Sequence, residues 1–256
     1  MQVVILAGGM GTRLSEETEV RPKPLVEIGG RPIIWHIMKI YEAAGFNDFI
    51  VCCGFKGHMI KDYFCSYFMH VCDLVVDLGD NRIDYINKGR ERWRVTLIDT
   101  GLDTMTGGRL KRIRSHLKDG PFCLTYGDGV ADLDVKQVVE FHRGHGRKVT
   151  VTAVPSPGRF GVLDLGDARN VRQFLEKPKN EVGWINGGFF VVDPAVIDGI
   201  EGDSTVWEGE PLERLAREGD LMAYQHNGFW RPMDTLRDKR ELEQLWMSGQ
   251  APWKMW

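Results

Sequence analysis

The sequence predicts an α/β fold: a mostly parallel sheet flanked by helices, with a partly antiparallel C-terminal extension. Three observations predict it. Short continuous apolar runs, as at residues 3–6 and 49–54, read as buried strands. They alternate with stretches whose apolar residues recur at helical spacing, which is the pattern of a parallel sheet covered on both faces. Two of the strands, at 3–6 and 121–129, run into glycine-bearing turns, where folds of this class place their ligands. Composition agrees. The 256 residues are 43% hydrophobic and 27% charged, ordinary globular values, and at this length about three-quarters of the chain's surface can be buried.

The elements follow in order. Val3 to Leu6 is a central strand ending in Ala7-Gly8-Gly9-Met10-Gly11-Thr12-Arg13. Arg21-Pro22-Lys23-Pro24 is extended, because each proline disfavours helix in the residue before it. Residues 32–44 form a helix, with Pro32 in the first turn and Gly45 at its C-terminal end. A strand at 49–54 and a helix at 59–68 come next. Residues 72–93 give a mixed signal. A short strand at 96–101 precedes Gly107-Gly108 and a basic helix at 109–118. The strand 121–129 ends at Asp128. A helix at 135–145 and a strand at 149–154 lead to a hairpin of 161–165 and 171–177. A strand at 189–192 and helices at 210–218 and 235–247 complete the chain. With no linker, low-complexity tract or repeat, a single domain over 1–256 is the economical reading.

Charge and cysteine usage narrow the function. Thirty-three Lys+Arg against 36 Asp+Glu give a net charge of −3, which argues against nucleic-acid binding by bulk charge. Apolar runs fall short of the ~18 residues of a membrane span. MQVVILAGG lacks a signal peptide's basic region and cleavage site. The five cysteines form no C-x-x-C pair, so reduced structural thiols and a cytoplasmic location are expected.

Four segments carry chemistry. Glycines 8, 9 and 11 let backbone amides approach a phosphate without a Cβ in the way; the bland alternative is a flexible turn. The loop is neither a P-loop, lacking G-K-[ST], nor a dinucleotide fingerprint, lacking the third glycine. Arg13 and the proline-flanked Lys23 turn it toward a polyphosphate clamp. Asp128, between glycines at a strand end, suits Mg²⁺, or an Asx turn. Asp234 precedes a helix, and spacing alone favours an N-cap. Lys177, after Glu176, reads as a surface charge or a phosphate ligand. Asn186-Gly187-Gly188 interrupts an apolar strand, a sign of close approach by a ligand or another backbone. Asp132 and Asp134 read as cap and surface residues, and His142 and His145 as a solvated helix face. Trp230, Trp246, Trp253 and Trp256 read as anchors of the C-terminus, to the core or to another subunit.

LAGGMGTRL followed by RPKPL resembles the signature of the sugar-1-phosphate nucleotidyltransferases. The likeness continues through YGDG, EKP and a late aspartate, and so spans most of the chain. The stretches SEETEVRPKPLVEIGGRPIIWHIMKIY, VCCGFKGHMIKDYF, DTGLDTMTGGRLKRI, TYGDGVADLD and GFWRPMDTLRDK resemble the branch that uses CTP. The resemblance implies a Rossmann-like fold and a reaction of CTP with α-D-glucose 1-phosphate, giving CDP-glucose, a precursor for bacterial O-antigen sugars, and pyrophosphate. It implies catalytic roles for Arg13, Lys23 and Asp128. Nucleotide binding falls to Leu6, Ala7, Gly8, Gly9, Met10, Gly11, Thr12, Arg13, Lys23, Thr104, Arg109, Tyr126 and Gly127. Sugar-phosphate binding falls to Glu176, Lys177, Asn186 and Gly187. Mg²⁺ falls to Asp128 and Asp234, which reverses the N-cap reading. A homo-oligomer is implied, a hexamer among the candidates, with 72–93 as a contact. The rivals are the same reaction with UTP or dTTP, and a nucleotide-sugar-binding regulatory protein.

Overall fold

A computed structural model describes residues 1–86, 91–156, 162–165, 170–175 and 183–256. Among the described residues, nine strands form the main sheet: β1 (Gln2–Ala7), β2 (Asp48–Cys53), β3 (Arg94–Asp99), β4 (Phe122–Tyr126), β5 (Val149–Pro155), β6 (Val162–Leu165), β7 (Val171–Leu175), β8 (Trp184–Val192) and β9 (Leu221–Gln225). Strands β4, β1, β2 and β3 lie side by side and parallel. Strand β8 runs antiparallel to β4 and β5, and β9 is parallel to β5. The hairpin β6–β7 joins the N-terminal half of β8. The expected parallel sheet with an antiparallel extension is therefore the observed one.

Helices α1 (Ile33–Ala43), α2 (Gly57–Cys65), α3 (Thr106–Arg112), α4 (Val135–His145), α5 (Glu210–Arg217) and α6 (Leu236–Met247) cover the sheet. Side chains alternate across a strand, so β1 feeds two cores. Val3 and Ile5 join Ile33, Ile37, Tyr41, Val138 and Leu242 on one face. Val4 and Leu6 join Leu110, Trp207, Leu212 and Leu215 on the other. All six β1 residues are buried, which explains the continuous apolar run. Each such aliphatic side chain contributes about 1.5–3 kcal/mol on burial.

The structure moves several boundaries. The expected 109–118 helix starts earlier, at Thr106, and yields after Arg112 to a 3-10 turn at Arg114–His116. The 59–68 helix is two pieces, Gly57–Cys65 and Tyr67–Val71. Residues 72–93 include an antiparallel hairpin of Asp73–Asp77 and Arg82–Ile86, with Val75, Val76, Leu78 and Ile83 exposed. His142 and His145 are not a solvated face. His142 is buried, and both rings bond the Thr150 hydroxyl of β5, at 2.9 and 2.7 Å. The helix leans that face on the sheet, where the hydroxyl satisfies both rings. Asp134 is the N-cap of α4, as expected. Asp132 instead lies half-buried with one oxygen 2.9 Å from His226.

The C-terminal tryptophans turn inward. Trp246, Trp253 and Trp256 surround His36 with Trp35, and Trp253 is fully buried. The His36 ring is neutral by construction. Its Nε2 lies 2.8 Å from the Ile28 carbonyl, and its Nδ1 accepts from the Trp253 indole at 3.4 Å. Burial pulls its pKa down to about 4. The folded pKa is below the unfolded one, so this contribution is complete above about pH 6.5 and is lost as pH falls toward 4. We expect the drop in unfolding free energy from pH 7 to pH 4.5 to be about 2 kcal/mol smaller in His36→Gln than in the parent. Urea denaturation at the two pH values reads it; equal drops would remove His36 from the acid sensitivity.

Candidate active site

Three parallel strands end together. Leu6 is in register with Cys52 on one side and Tyr126 on the other. The glycine loop, Gly54 and the Tyr126-Gly127-Asp128 turn therefore emerge side by side, and the Gly127 amide bonds the Leu6 carbonyl at 2.9 Å. A cavity of about 510 Å³ opens there. Of the described residues that the resemblance singled out, all but Met10 line it. Met10 lies outside the lining and is 48% exposed. Glu176 and Lys177 lie outside the described residues.

At the centre is a chain of charges. Lys23 Nζ is 2.6 Å from Asp128 Oδ2 and 2.7 Å from Asp234 Oδ1. Arg13 Nη1 holds the other Asp234 oxygen at 2.8 Å. Burial alone would lower the Lys23 pKa, but the two carboxylates outweigh it and raise it, so the ammonium persists at neutral pH. The backbone explains how the pair forms. Trp230–Pro232 pairs antiparallel with Gly129–Ala131, and the Met233 amide bonds the Asp128 carbonyl at 2.8 Å. Each aspartate flanks this two-stranded ribbon, which brings residues far apart in sequence to one point. Lys23 opens a short 3-10 turn, Lys23–Leu25, between Pro22 and Pro24.

Asp234 is free for this role because it is not the N-cap of α6. Thr235 is, in a reciprocal capping box with Asp238. The N-cap expectation was one residue out. Among the described residues no group of three or more His, Cys, Asp and Glu gathers for a metal. The Asp128–Asp234 pair nevertheless already converges on one cation, the Lys23 ammonium. Two carboxylates, with the rest of the shell left to water and phosphate, are a donor set that Mg²⁺ accepts. The residues present fit the ion.

Arg109 lines the cavity and also braces its loops. Its guanidinium donates to the carbonyls of Gly8 (3.1 Å), Gly101 (2.7 Å) and Leu102 (3.2 Å) and to the Thr100 hydroxyl (2.7 Å). It ties the glycine loop to the 100–102 loop while lining the cavity. Gly8 is required by this contact: a Cβ there would lie 2.2 Å from Arg109 Nη1. Gly9 has no such neighbour and leaves its backbone open to a ligand.

Two further lining residues were given no role at the site by the sequence. Glu208, from TVWEGE, accepts from the Thr106 and Tyr126 hydroxyls. Trp230 donates its indole N–H to the Gly187 carbonyl at 2.7 Å, holding the 186–188 segment against the ribbon. A half-buried glutamate in a loop has no sequence signature; the tryptophan could have been suspected from its place two residues before Pro232.

An α/β sheet with a glycine loop, a buried lysine and paired aspartates at its strand ends defines a phosphate-transfer class of protein. The chain belongs to the nucleotidyl transferase family, whose profile matches residues 2–238. It is 59% identical over 257 residues to a glucose-1-phosphate cytidylyltransferase of Salmonella typhi, with 100% of both chains covered. It is 42% identical to a probable glucose-1-phosphate cytidylyltransferase of Bacillus subtilis, again over 100% of each. The fold is similar to the crystal structure of HddC from Yersinia pseudotuberculosis, with a TM-score of 0.78, 23% identity and coverage of 96% and 99%. No helix among the described residues is long and apolar enough to cross a membrane.

Proposed function

We propose that the protein transfers a cytidylyl group from CTP to α-D-glucose 1-phosphate, releasing pyrophosphate and CDP-glucose. The Arg13–Asp234–Lys23–Asp128 cluster at the strand ends carries the reading, and full-length similarity to cytidylyltransferases supports the choice of substrates.

The attacking group is a phosphate oxygen that is already anionic, so no general base is needed. The work that remains is alignment and charge neutralisation for in-line attack at the α-phosphate. The open backbone around Gly9 and Gly11 receives the nucleotide's phosphates. Arg13, at the exposed mouth of the cavity, neutralises the triphosphate and the departing pyrophosphate. Lys23, held as an ammonium, bridges the α-phosphate and the attacking phosphate. Asp128 and Asp234 would hold Mg²⁺, which when bound supplies further neutralisation of the phosphate oxygens. Asn186 and Gly187 face the sugar, and the family resemblance adds Glu176 and Lys177 for its phosphate.

Pyrophosphate release with glucose 1-phosphate and Mg²⁺, offering CTP, UTP, dTTP, ATP and GTP separately, tests the reading. Strong preference for CTP, abolished by EDTA, is the expected result. Preference for UTP or dTTP would overturn the base assignment and keep the mechanism. No turnover by folded protein with any of these, or with other sugar phosphates, would favour a binding protein.

A further inference from the structure

We propose that Glu208 is a positioning residue for sugar-phosphate binding, acting through the Tyr126 hydroxyl on the Asn186 amide. The proposal rests on the reading above, in which the 186–188 wall faces the sugar.

The geometry is a directed chain. An ionised carboxylate only accepts hydrogen bonds, so it fixes the direction of every donor joined to it. One Glu208 oxygen accepts from the Thr106 hydroxyl at 2.6 Å, whose oxygen in turn accepts from the Trp207 amide at 2.8 Å. The other Glu208 oxygen accepts from the Tyr126 hydroxyl. Tyr126 has then spent its single proton, and its oxygen can only accept. It accepts from Asn186 Nδ2 at 3.4 Å. The Asn186 amide is pinned from the other end, because its Oδ1 accepts from the Gly188 amide at 2.8 Å. Asn186 is thereby oriented as a donor, with its second amide hydrogen left for the cavity it lines.

Packing holds the chain in place. Gly188 adopts φ +79, and a Cβ there would lie 2.6 Å from the Tyr126 ring. The ring also meets Phe190 edge-on at 6.1 Å. A neutral glutamine at 208 would free the Tyr126 hydroxyl to turn, and Asn186 would lose its fixed acceptor. Sugar-phosphate binding should suffer, while the phosphate-transfer cluster around Lys23 should not.

The test is a double-mutant cycle on steady-state kinetics. Glu208→Gln and Tyr126→Phe are each expected to raise KM for glucose 1-phosphate about tenfold, the scale of one hydrogen bond to a charged group. For Glu208→Gln, kcat should stay within about twofold and KM for the nucleotide unchanged. The double variant should be no worse than either single one, because all three break one chain. Tyr126→Phe keeps the ring and its packing, so it reads the relay even if Glu208→Gln loses stability. Additive losses, or an unchanged KM for the sugar phosphate, would overturn the proposal. Parent enzyme assayed alongside tests the underlying reading: if it fails to turn over CTP and glucose 1-phosphate, reading and proposal fall together.

Discussion

Replacing Asp128 with Asn is expected to lower kcat by at least about 10²-fold, the scale of removing one major charge stabiliser from a reacting centre. The substitution is nearly isosteric, so the backbone bond from the Met233 amide to the Asp128 carbonyl should survive. What disappears is one of the two negative charges that converge on Lys23. The asparagine would no longer offer a second anionic oxygen to a divalent ion beside Asp234. Its amide would also present a donor toward the Lys23 ammonium. Steady-state kinetics at saturating CTP and glucose 1-phosphate, with Mg²⁺ varied, is the measurement. A kcat within a few-fold of the parent would remove Asp128 from the reaction. A rise confined to the Mg²⁺ requirement, with kcat recovered at high Mg²⁺, would leave it only a binding role.

Lys23→Ala should act twice. The first effect is on the reaction: loss of the bridging ammonium is expected to cost about 10²- to 10³-fold, falling on kcat rather than KM. A change in KM alone would show that Lys23 aids binding without serving the transition state. The second effect is on the fold. The Lys23 and Asp234 side chains are only 10% and 11% exposed, and removing the cation leaves two carboxylates facing each other with Arg13 alone to balance them. Breaking a buried pair in this way costs about 3 kcal/mol. Mg²⁺ should return part of that loss, because it occupies the charge deficit the lysine leaves. Denaturation with and without Mg²⁺ checks it: equal stabilisation of parent and variant would argue against a shared position for the two cations.

Sequence reading reached furthest where a signal is contiguous. Strand β1 and its glycine loop sit within the first 13 residues, and local rules sufficed for the strand; the extended reading of 21–24 was corrected, because Lys23 opens a 3-10 turn once Pro22 has fixed its entry. Asp128 was legible for the same reason, as an acid between glycines at a strand end. Asp234 was not legible from spacing, and only the family resemblance pointed to it. Its role depends on a ribbon that pairs 129–131 with 230–232, which no local rule encodes. Arg109 was placed at the nucleotide only by the family resemblance of the 104–109 loop. Its actual partners are mostly backbone carbonyls of loops, and carbonyls have no residue code. The solvated reading of His142 and His145 failed: helical spacing showed that they share a face, but not that Thr150 of β5 lies beneath it. Glu208 is the extreme case, a single acid whose meaning comes wholly from two hydroxyls distant in sequence.

The irregularity in β8 has a consequence for how such a protein can change over generations. Pairing with β5 jumps from Val151↔Phe190 to Ala153↔Asn186, so the strand carries extra residues at 187–189. C-terminal to the jump, Phe189–Val192 pairs with β4 and is buried in both cores. N-terminal to it, Trp184–Asn186 meets β5 and the β6–β7 hairpin, and Asn186 lines the cavity. The extra residues absorb local shifts before they reach the paired core. One continuous strand is thus a cavity wall at Asn186–Gly188 and sheet core at Phe190–Val192. Substitutions in the first stretch are expected to act on the cavity, whereas those in the second are charged against the stability of the whole sheet.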